Sequence, residues 1–176
     1  GGSGFVPGEG AAVVLLKPLD RAIADGDPVH GVILSSQVNH GGRTNGFMVP
    51  NPRAQASVVR EAFDKAGVNA RHVSYIEAHG TGTALGDPIE VDGLQQAFAA
   101  DTVERQFCAL GSAKSNIGHL EAAAGIAGLM KVVLQMRHQQ LAPTLHAAST
   151  NPNIHFESTS FAINRELRPW LQPVID

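Results

Sequence analysis

His72-Val73-Ser74-Tyr75-Ile76-Glu77-Ala78-His79-Gly80-Thr81-Gly82-Thr83, with Asp87-Pro88-Ile89-Glu90 close behind, passes from strand to turn to helix in a short span. His72 to Ala78 has the β-branched and aromatic content of a strand. Asp87 is placed to cap a helix from Pro88 to about Ala100, with the proline at the first helical position. A strand that hands a polar side chain into a glycine-rich turn is how α/β proteins set reactive groups at a strand's carboxyl end. His79 is that side chain. The pattern returns at Cys108 to Ser112, a further strand, followed by Lys114-Ser115-Asn116-Ile117-Gly118-His119-Leu120-Glu121 and a long helix from Leu120 to His138. Two such turns can aim two imidazoles at one spot.

Outward from these motifs, Ala11 to Leu16 reads as a buried strand ended by Pro18, and Leu19 to Ala24 as a short helix stopped by Asp25-Gly26-Asp27-Pro28. Val29 to Val38 reads as a second long strand, and Asn39 to Asn51 as a loop. Pro52 opens a helix through Ala66 whose inner face carries Ala56, Val59, Ala62, Phe63 and Ala66, with Gly67 as its stop. Thr144 to Ile163 contains a loop at Asn151-Pro152-Asn153 and a last strand. Strands alternating with helices predict a mainly parallel sheet covered by helices. The helix after His119 begins with Ala122, Ala123, Ala124, Gly125, Ala127 and Gly128. Glycines cost helix stability, so these predict close backbone packing and a helix through the centre of a layered core.

The 176 residues, 43% apolar and 16% charged, suffice for one domain with a real core. A net charge of −3 gives no reason to expect nucleic acid or an anionic membrane as partner. No apolar run reaches membrane-span length, and no charged segment precedes an apolar one at the start. The lone cysteine leaves no internal disulfide, and a cytoplasmic setting is the expectation. The ends read as cut: Gly1-Gly2-Ser3-Gly4 is a linker, a cloning scar or the tail of a turn, and Arg168-Pro169-Trp170-Leu171-Gln172-Pro173 stops without a cap.

Blander readings apply to each feature alone. An isolated histidine behind a strand is usually structural. Eight histidines invite a metal, yet no HExxH pattern or cysteine–histidine pair at ligand spacing occurs, so no metal is expected. Gly41-Gly42-Arg43-Thr44-Asn45-Gly46 lacks the lysine of a phosphate loop and reads as a channel or structural loop. Ser112 and Lys114 mimic a serine–lysine dyad outside any hydrolase motif. Cys108, within Phe107-Cys108-Ala109-Leu110, reads as a buried, inert thiol.

Taken together, the two histidine motifs resemble those of the condensing enzymes, the β-ketoacyl synthase (ketosynthase) domains of modular type I polyketide synthases. The similarity spans almost the whole chain. Gly8-Glu9-Gly10-Ala11-Ala12-Val13-Val14-Leu15-Leu16-Lys17 is similar to the family segment beyond the nucleophile. Val38-Asn39-His40-Gly41-Gly42-Arg43-Thr44-Asn45-Gly46 is similar to the loop of modular ketosynthases, particularly those in assembly lines with separate acyltransferases.

The resemblance implies a thiolase-like condensing-enzyme fold, five layers built as αβαβα, of which residues 1–176 would be the C-terminal portion. It implies an acyltransferase of the 3-oxoacyl-carrier-protein synthase type. That reaction is a decarboxylative Claisen condensation of malonyl-type thioesters with an enzyme-bound acyl chain, in polyketide or fatty-acid biosynthesis. His79 and His119 would assist decarboxylation, with Lys114 as supporting charge and Asn116 and Glu121 as supporting residues. Thr81 and Thr83 would contact the phosphopantetheine arm of an acyl carrier protein, and no permanently bound cofactor is implied. Two N–H donors aimed at the thioester oxygen suit an enolate. A helix N-terminus at His119 and the charge of Lys114 would keep the imidazoles neutral. The family's cysteine turn would lie upstream of Gly1 and its closing glycine-rich motif beyond Asp176. The rest of the ketosynthase is therefore an expected partner, the parent an expected homodimer, and the face between the two halves an exposed apolar one. A non-elongating relative that only binds or passes acyl chains, or an inactive remnant, is the alternative. Both histidines and Lys114 favour elongation.

Overall fold

The computed structural model describes residues 3–42, 44 and 49–173. Among them five short strands form: β1 (Tyr75–Glu77), β2 (Cys108–Gly111), β3 (Gln140–Leu141), β4 (Phe161–Ile163) and β5 (Arg168–Pro169). β1, β2 and β4 make a parallel sheet in that order, while β3 and β5 pair antiparallel. Five α-helices accompany them: α1 (Leu19–Asp25), α2 (Pro52–Ala66), α3 (Gly86–Ala99), α4 (Lys114–Ile117) and α5 (Ala124–His138). All four residues of β2 are buried, as befits a central strand covered on both faces.

Alternation along β2 divides the core in two. Cys108 and Leu110 join Phe161, Val91, Leu94 and Phe98 on one face, with Val59 and Phe63 packed behind them. Ala109 faces the other way, with Tyr75, Leu141, Val132 and Trp170. The Phe98 ring meets Phe161 and Phe63 edge-on, at 4.8 and 5.5 Å between centroids. Such rings fill volume and add directional attraction. α2 is specified by its ends. Asn51 Oδ1 accepts the N–H groups of Arg53 and Ala54, Pro52 takes the first helical position, and Gly67 closes the helix in a left-handed conformation. It meets α3 at Gly93, where a Cβ would stand 2.9 Å from the Pro52 carbonyl oxygen.

Several expectations need correction. Ala11–Leu16 and Val29–Val38 form no ladder among the described residues. Val13 is 91% and Leu15 96% exposed, so the first segment is not buried either. β-propensity becomes a strand only where a neighbour lies about 4.8 Å away to pair with it. Neither segment has one, and the second is tied instead to α2 through Ser35 Oγ, which donates to the Ala62 carbonyl at 2.7 Å. The strand placed at His72 to Ala78 shrinks to β1, because Ala70–His72 is a 3₁₀ turn capped by Asn69.

α3 begins at Gly86, so Asp87 is inside its first turn rather than its cap; the carboxylate reaches back to the Gly82 N–H at 3.0 Å. The helix placed at Leu120 is a 3₁₀ turn, Glu121–Ala123, followed by α5, with Glu121 at φ 49° breaking the run. α5 does not run through a closed core. Only Gly128 and Gln135 are buried along it. Gly128 has the expected packing reason, since a Cβ there would lie 3.0 Å from Glu77 Cγ, whereas Gly125 has open space around it. The loop motif at Arg43, Asn45 and Gly46 lies outside the described residues.

Candidate functional site

His79 leaves the end of β1 into a turn that α3 holds by its backbone. Glu90 Oε1 accepts the His79 N–H at 2.6 Å and Oε2 the Gly80 N–H at 2.8 Å. Asp87 takes the Gly82 N–H of the same turn. Burial pushes both carboxyls above their usual range, and these N–H donors oppose the shift. Sequence reasoning gave Asp87 only a capping role and Glu90 none. The available signal was two acidic side chains on the first turns of a helix that follows a glycine-rich, N–H-rich loop.

Lys114 opens α4 directly beyond β2. Burial lowers its pKa, and the charges of Glu90 and Glu77 act the other way. Gly118 then turns the chain at φ 76° and ψ −177° to deliver His119. Residues 4–8 lace this turn to the rest, so Gly4 begins an anchored segment and not a free linker. Gly4 N–H donates to the Gly82 carbonyl (3.0 Å), His119 N–H to Val6 (2.8 Å) and Gly8 N–H to His119 (2.9 Å).

The imidazoles of His79 and His119 stand 5.2 Å apart, centroid to centroid, at an interplanar angle of 84°, and Phe5 packs on the other side of His119 at 4.7 Å. His119 Nδ1 accepts the Glu121 N–H at 2.9 Å. That nitrogen therefore acts as the acceptor, leaving Nε2 to carry the ring's N–H donor. His119 reaches this tautomer through a backbone contact, because the 3₁₀ turn stands between it and the start of α5. The pKa of His79 is lowered by partial burial, by the charge of Lys114 and by His119, all of which favour its neutral form. The site thus presents two perpendicular imidazoles beside one cation, an arrangement able to donate two hydrogen bonds to a single developing negative charge.

The other candidates fall around this pair. Thr81 lines a cavity of about 600 Å³ together with Phe5, Gly80, Ser112 and Lys114. Thr83 Oγ1 is engaged within its turn, accepting the Gly86 N–H at 3.0 Å and lying 3.3 Å from Thr81 Oγ1. Lys114 also borders a smaller cavity, about 360 Å³, shared with His79, Gly118 and Gly128. Asn116 Oδ1 sits 2.9 Å from Ser115 Oγ on the exposed side of α4. Glu121 enters through its backbone N–H. Ser112 Oγ accepts the backbone N–H of Lys114 at 3.4 Å. Cys108 is fully buried, and burial pushes its thiol up to about 12. Among the described residues no group of three His, Cys, Asp or Glu side chains could hold a metal ion, and no helix is long and apolar enough to cross a membrane.

Comparison with known proteins gives a consistent result. Residues 30–148 match the family model for the β-ketoacyl synthase C-terminal domain. The chain is 59% identical over 175 residues to polyketide synthase PksL of Bacillus subtilis, covering 99% of this chain and 4% of that protein. Polyketide synthase ThaG of Burkholderia thailandensis is 59% identical over 174 residues, covering 98% of the chain and 3% of that protein. Among solved structures, the oxazolomycin ketosynthase domain OzmH KS7 of Streptomyces albus superposes with a TM-score of 0.96 at 50% identity, over 100% of this chain and 31% of that one. The module 6 ketosynthase of the B. subtilis bacillaene synthase gives 0.93 at 45% identity, over 97% and 32%. The chain thus spans a small fraction of its curated relatives and about a third of these ketosynthases.

Proposed function

The chain belongs to the β-ketoacyl synthase family, as a C-terminal ketosynthase segment of the modular polyketide synthase type with the thiolase-like fold, and from that premise we propose that it supplies the decarboxylation site of an elongating condensing enzyme. The observation that carries the reading is the perpendicular pair of imidazoles 5.2 Å apart. A malonyl-type thioester bound there loses carbon dioxide as the bond to its carboxylate breaks. The electron pair moves into an enolate, whose oxygen receives N–H bonds from His79 and His119. The enolate carbon then attacks the carbonyl of an acyl chain held as a cysteine thioester, and the carbon–sulfur bond breaks to release thiolate. Lys114 stabilises the negative charge electrostatically and disfavours imidazolium at His79.

The acyl-bearing cysteine falls to a part of the ketosynthase outside these 176 residues, since Cys108 is buried in β2. On this reading residues 1–176 are one partial ketosynthase domain and the reaction type is that of a 3-oxoacyl-carrier-protein synthase, in polyketide or fatty-acid assembly. The substrates arrive on the phosphopantetheine arm of an acyl carrier protein, with Thr81 at the cavity wall and Thr83 steadying it. The parent enzyme would be a cytoplasmic homodimer. A non-elongating relative would be expected to have lost a decarboxylation group, whereas both histidines and Lys114 converge here.

The test is the complete ketosynthase domain carrying this chain, assayed for carbon dioxide release from a malonyl thioester and, separately, for acylation of its cysteine. His79→Ala or His119→Ala should cost about 10²–10³ in decarboxylation while acylation persists. Wild-type carbon dioxide release in either variant would remove the assignment.

A further inference from the structure

Glu77 takes no part in the chemistry above, yet it stands two residues before His79 and bridges both turns of the site. Oε1 accepts the Ala113 N–H at 2.5 Å, directly ahead of Lys114. Oε2 accepts the Tyr75 hydroxyl at 2.6 Å and lies 2.9 Å from Lys131 Nζ. Both members of that ion pair are nearly closed off, at 14% exposure for Lys131 and 13% for Glu77. The surroundings are shaped around the group. Gly128 of α5 leaves room for Glu77 Cγ. Gly111, opposite Glu77 in the ladder, leaves room for the Tyr75 hydroxyl, which a Cβ there would approach to 2.6 Å.

A shielded ion pair is a weak source of stability, because desolvation offsets most of its Coulomb attraction. Its place in the fold is more telling. The strand of Glu77 carries His79 on its own backbone, pinned to β2 by the Ala78 N–H donating to Gly111 at 2.8 Å. The side chain meanwhile grips the start of the turn that carries Lys114 and His119. One carboxylate thereby joins the two halves of the imidazole pair.

We propose that Glu77 is a positioning residue, its carboxylate, held by Tyr75 and Lys131, fixing the Lys114–His119 turn in register with His79. The proposal rests on the reading of that pair as a decarboxylation site. Residues 6–8 hold the far end of the turn at His119, while the grip on Ala113 ties its near end to β1. Without that grip the near end loses its register with His79, and a displacement of about 1 Å at reacting groups costs on the order of 10² in rate.

Two charge-free double variants of the complete domain separate positioning from stability. Glu77→Leu with Lys131→Met removes the ion pair and the acceptor for Ala113, and apolar replacement of such pairs is often neutral or stabilising for the fold. Glu77→Gln with Lys131→Met also removes both charges but keeps an amide oxygen for the Ala113 N–H. The leucine variant should stay folded, its melting temperature lowered by no more than the few degrees that unpairing the Ala113 N–H and the Tyr75 hydroxyl costs. It should keep cysteine acylation while kcat for malonyl decarboxylation falls roughly 10–100-fold and KM stays within about twofold. The glutamine variant should return kcat to within about fivefold of wild type. A leucine variant with wild-type kcat overturns the proposal. So does a glutamine variant as slow as the leucine one, or a loss of acylation and stability in parallel with kcat. His79→Ala and His119→Ala run alongside: wild-type decarboxylation in these would sink the site reading itself, a result distinct from failure of the Glu77 variants.

Discussion

Alanine at Gly118 should be among the most damaging small changes in the chain. The residue sits at φ 76° and ψ −177°, a region open almost only to glycine, and forcing another residue there costs about 1–3 kcal/mol. A Cβ would also stand 2.8 Å from the Val6 carbonyl oxygen and 3.4 Å from Pro7 O and Gly8 N. Every one of those obstacles is backbone, so no rotamer change relieves the contact. Relief requires residues 6–8 to withdraw, which breaks the two backbone bonds they make with His119, worth about 1 kcal/mol each. Together the strain and lost bonds give about 3–5 kcal/mol, a large part of a typical domain's stability. In urea, with a slope near 2 kcal/mol per molar, the unfolding midpoint of Gly118→Ala should fall by about 1.5–2.5 M. A midpoint within about 0.25 M of the parent, an energy near 0.5 kcal/mol, would refute the reasoning.

Other outcomes follow from the same contacts. Gly125→Ala, in the open on α5, should stabilise the 176-residue chain by about 0.5–1 kcal/mol in the same urea assay; a loss of stability would show a packed neighbour there. Asn51→Ala removes the acceptor for two N–H groups at the start of α2 and should lower stability by about 1 kcal/mol, read from thermal melting. Cys108, with its thiol pushed up to about 12, should hold a thiolate fraction on the order of 10⁻⁴ at pH 8. It should resist a thiol reagent until the chain unfolds, and rapid native labelling would contradict its burial. His79 has a folded pKa below its ordinary value of 6.5, so the unfolded chain takes up a proton there first. The stabilisation from the neutral ring is present above pH 6.5 and is lost as pH falls through the folded pKa. An NMR titration of His79 should show a midpoint below 6.5, raised by Lys114→Met, and a midpoint at or above 6.5 would be the contrary result.

The site was legible in the sequence because its parts are local. A strand, a glycine turn and a helix start can be read from adjacent residues, and His79 and His119 each come with all three. α2 was legible for the same reason, from Asn51-Pro52 at one end to Gly67 at the other. The misplaced strands failed for a non-local reason: the apolar runs at Ala11–Leu16 and Val29–Val38 carry β-propensity, but pairing needs a neighbour that local sequence cannot reveal. Asp87 misled because a carboxylate that caps a helix and one that reaches back to the preceding turn look alike in one dimension. Glu90, Glu77 and Lys131 were missed because their meaning lies in contacts to the backbone of a different turn or strand, Glu77 to Lys131 spanning 54 positions. The small-residue run on α5 was half legible, since Gly128 has its close neighbour and Gly125 has none.

The central claim is that His79 and His119 serve one oxygen together. A double-mutant cycle on malonyl decarboxylation tests it directly, using His79→Ala, His119→Ala and the combined variant in the complete ketosynthase domain. Groups that act as a unit are strongly non-additive, so the combined variant should lie within about tenfold of the worse single one. Losses that multiply towards roughly 10⁴–10⁶, the product of two independent donors each worth 10²–10³, would contradict the shared site.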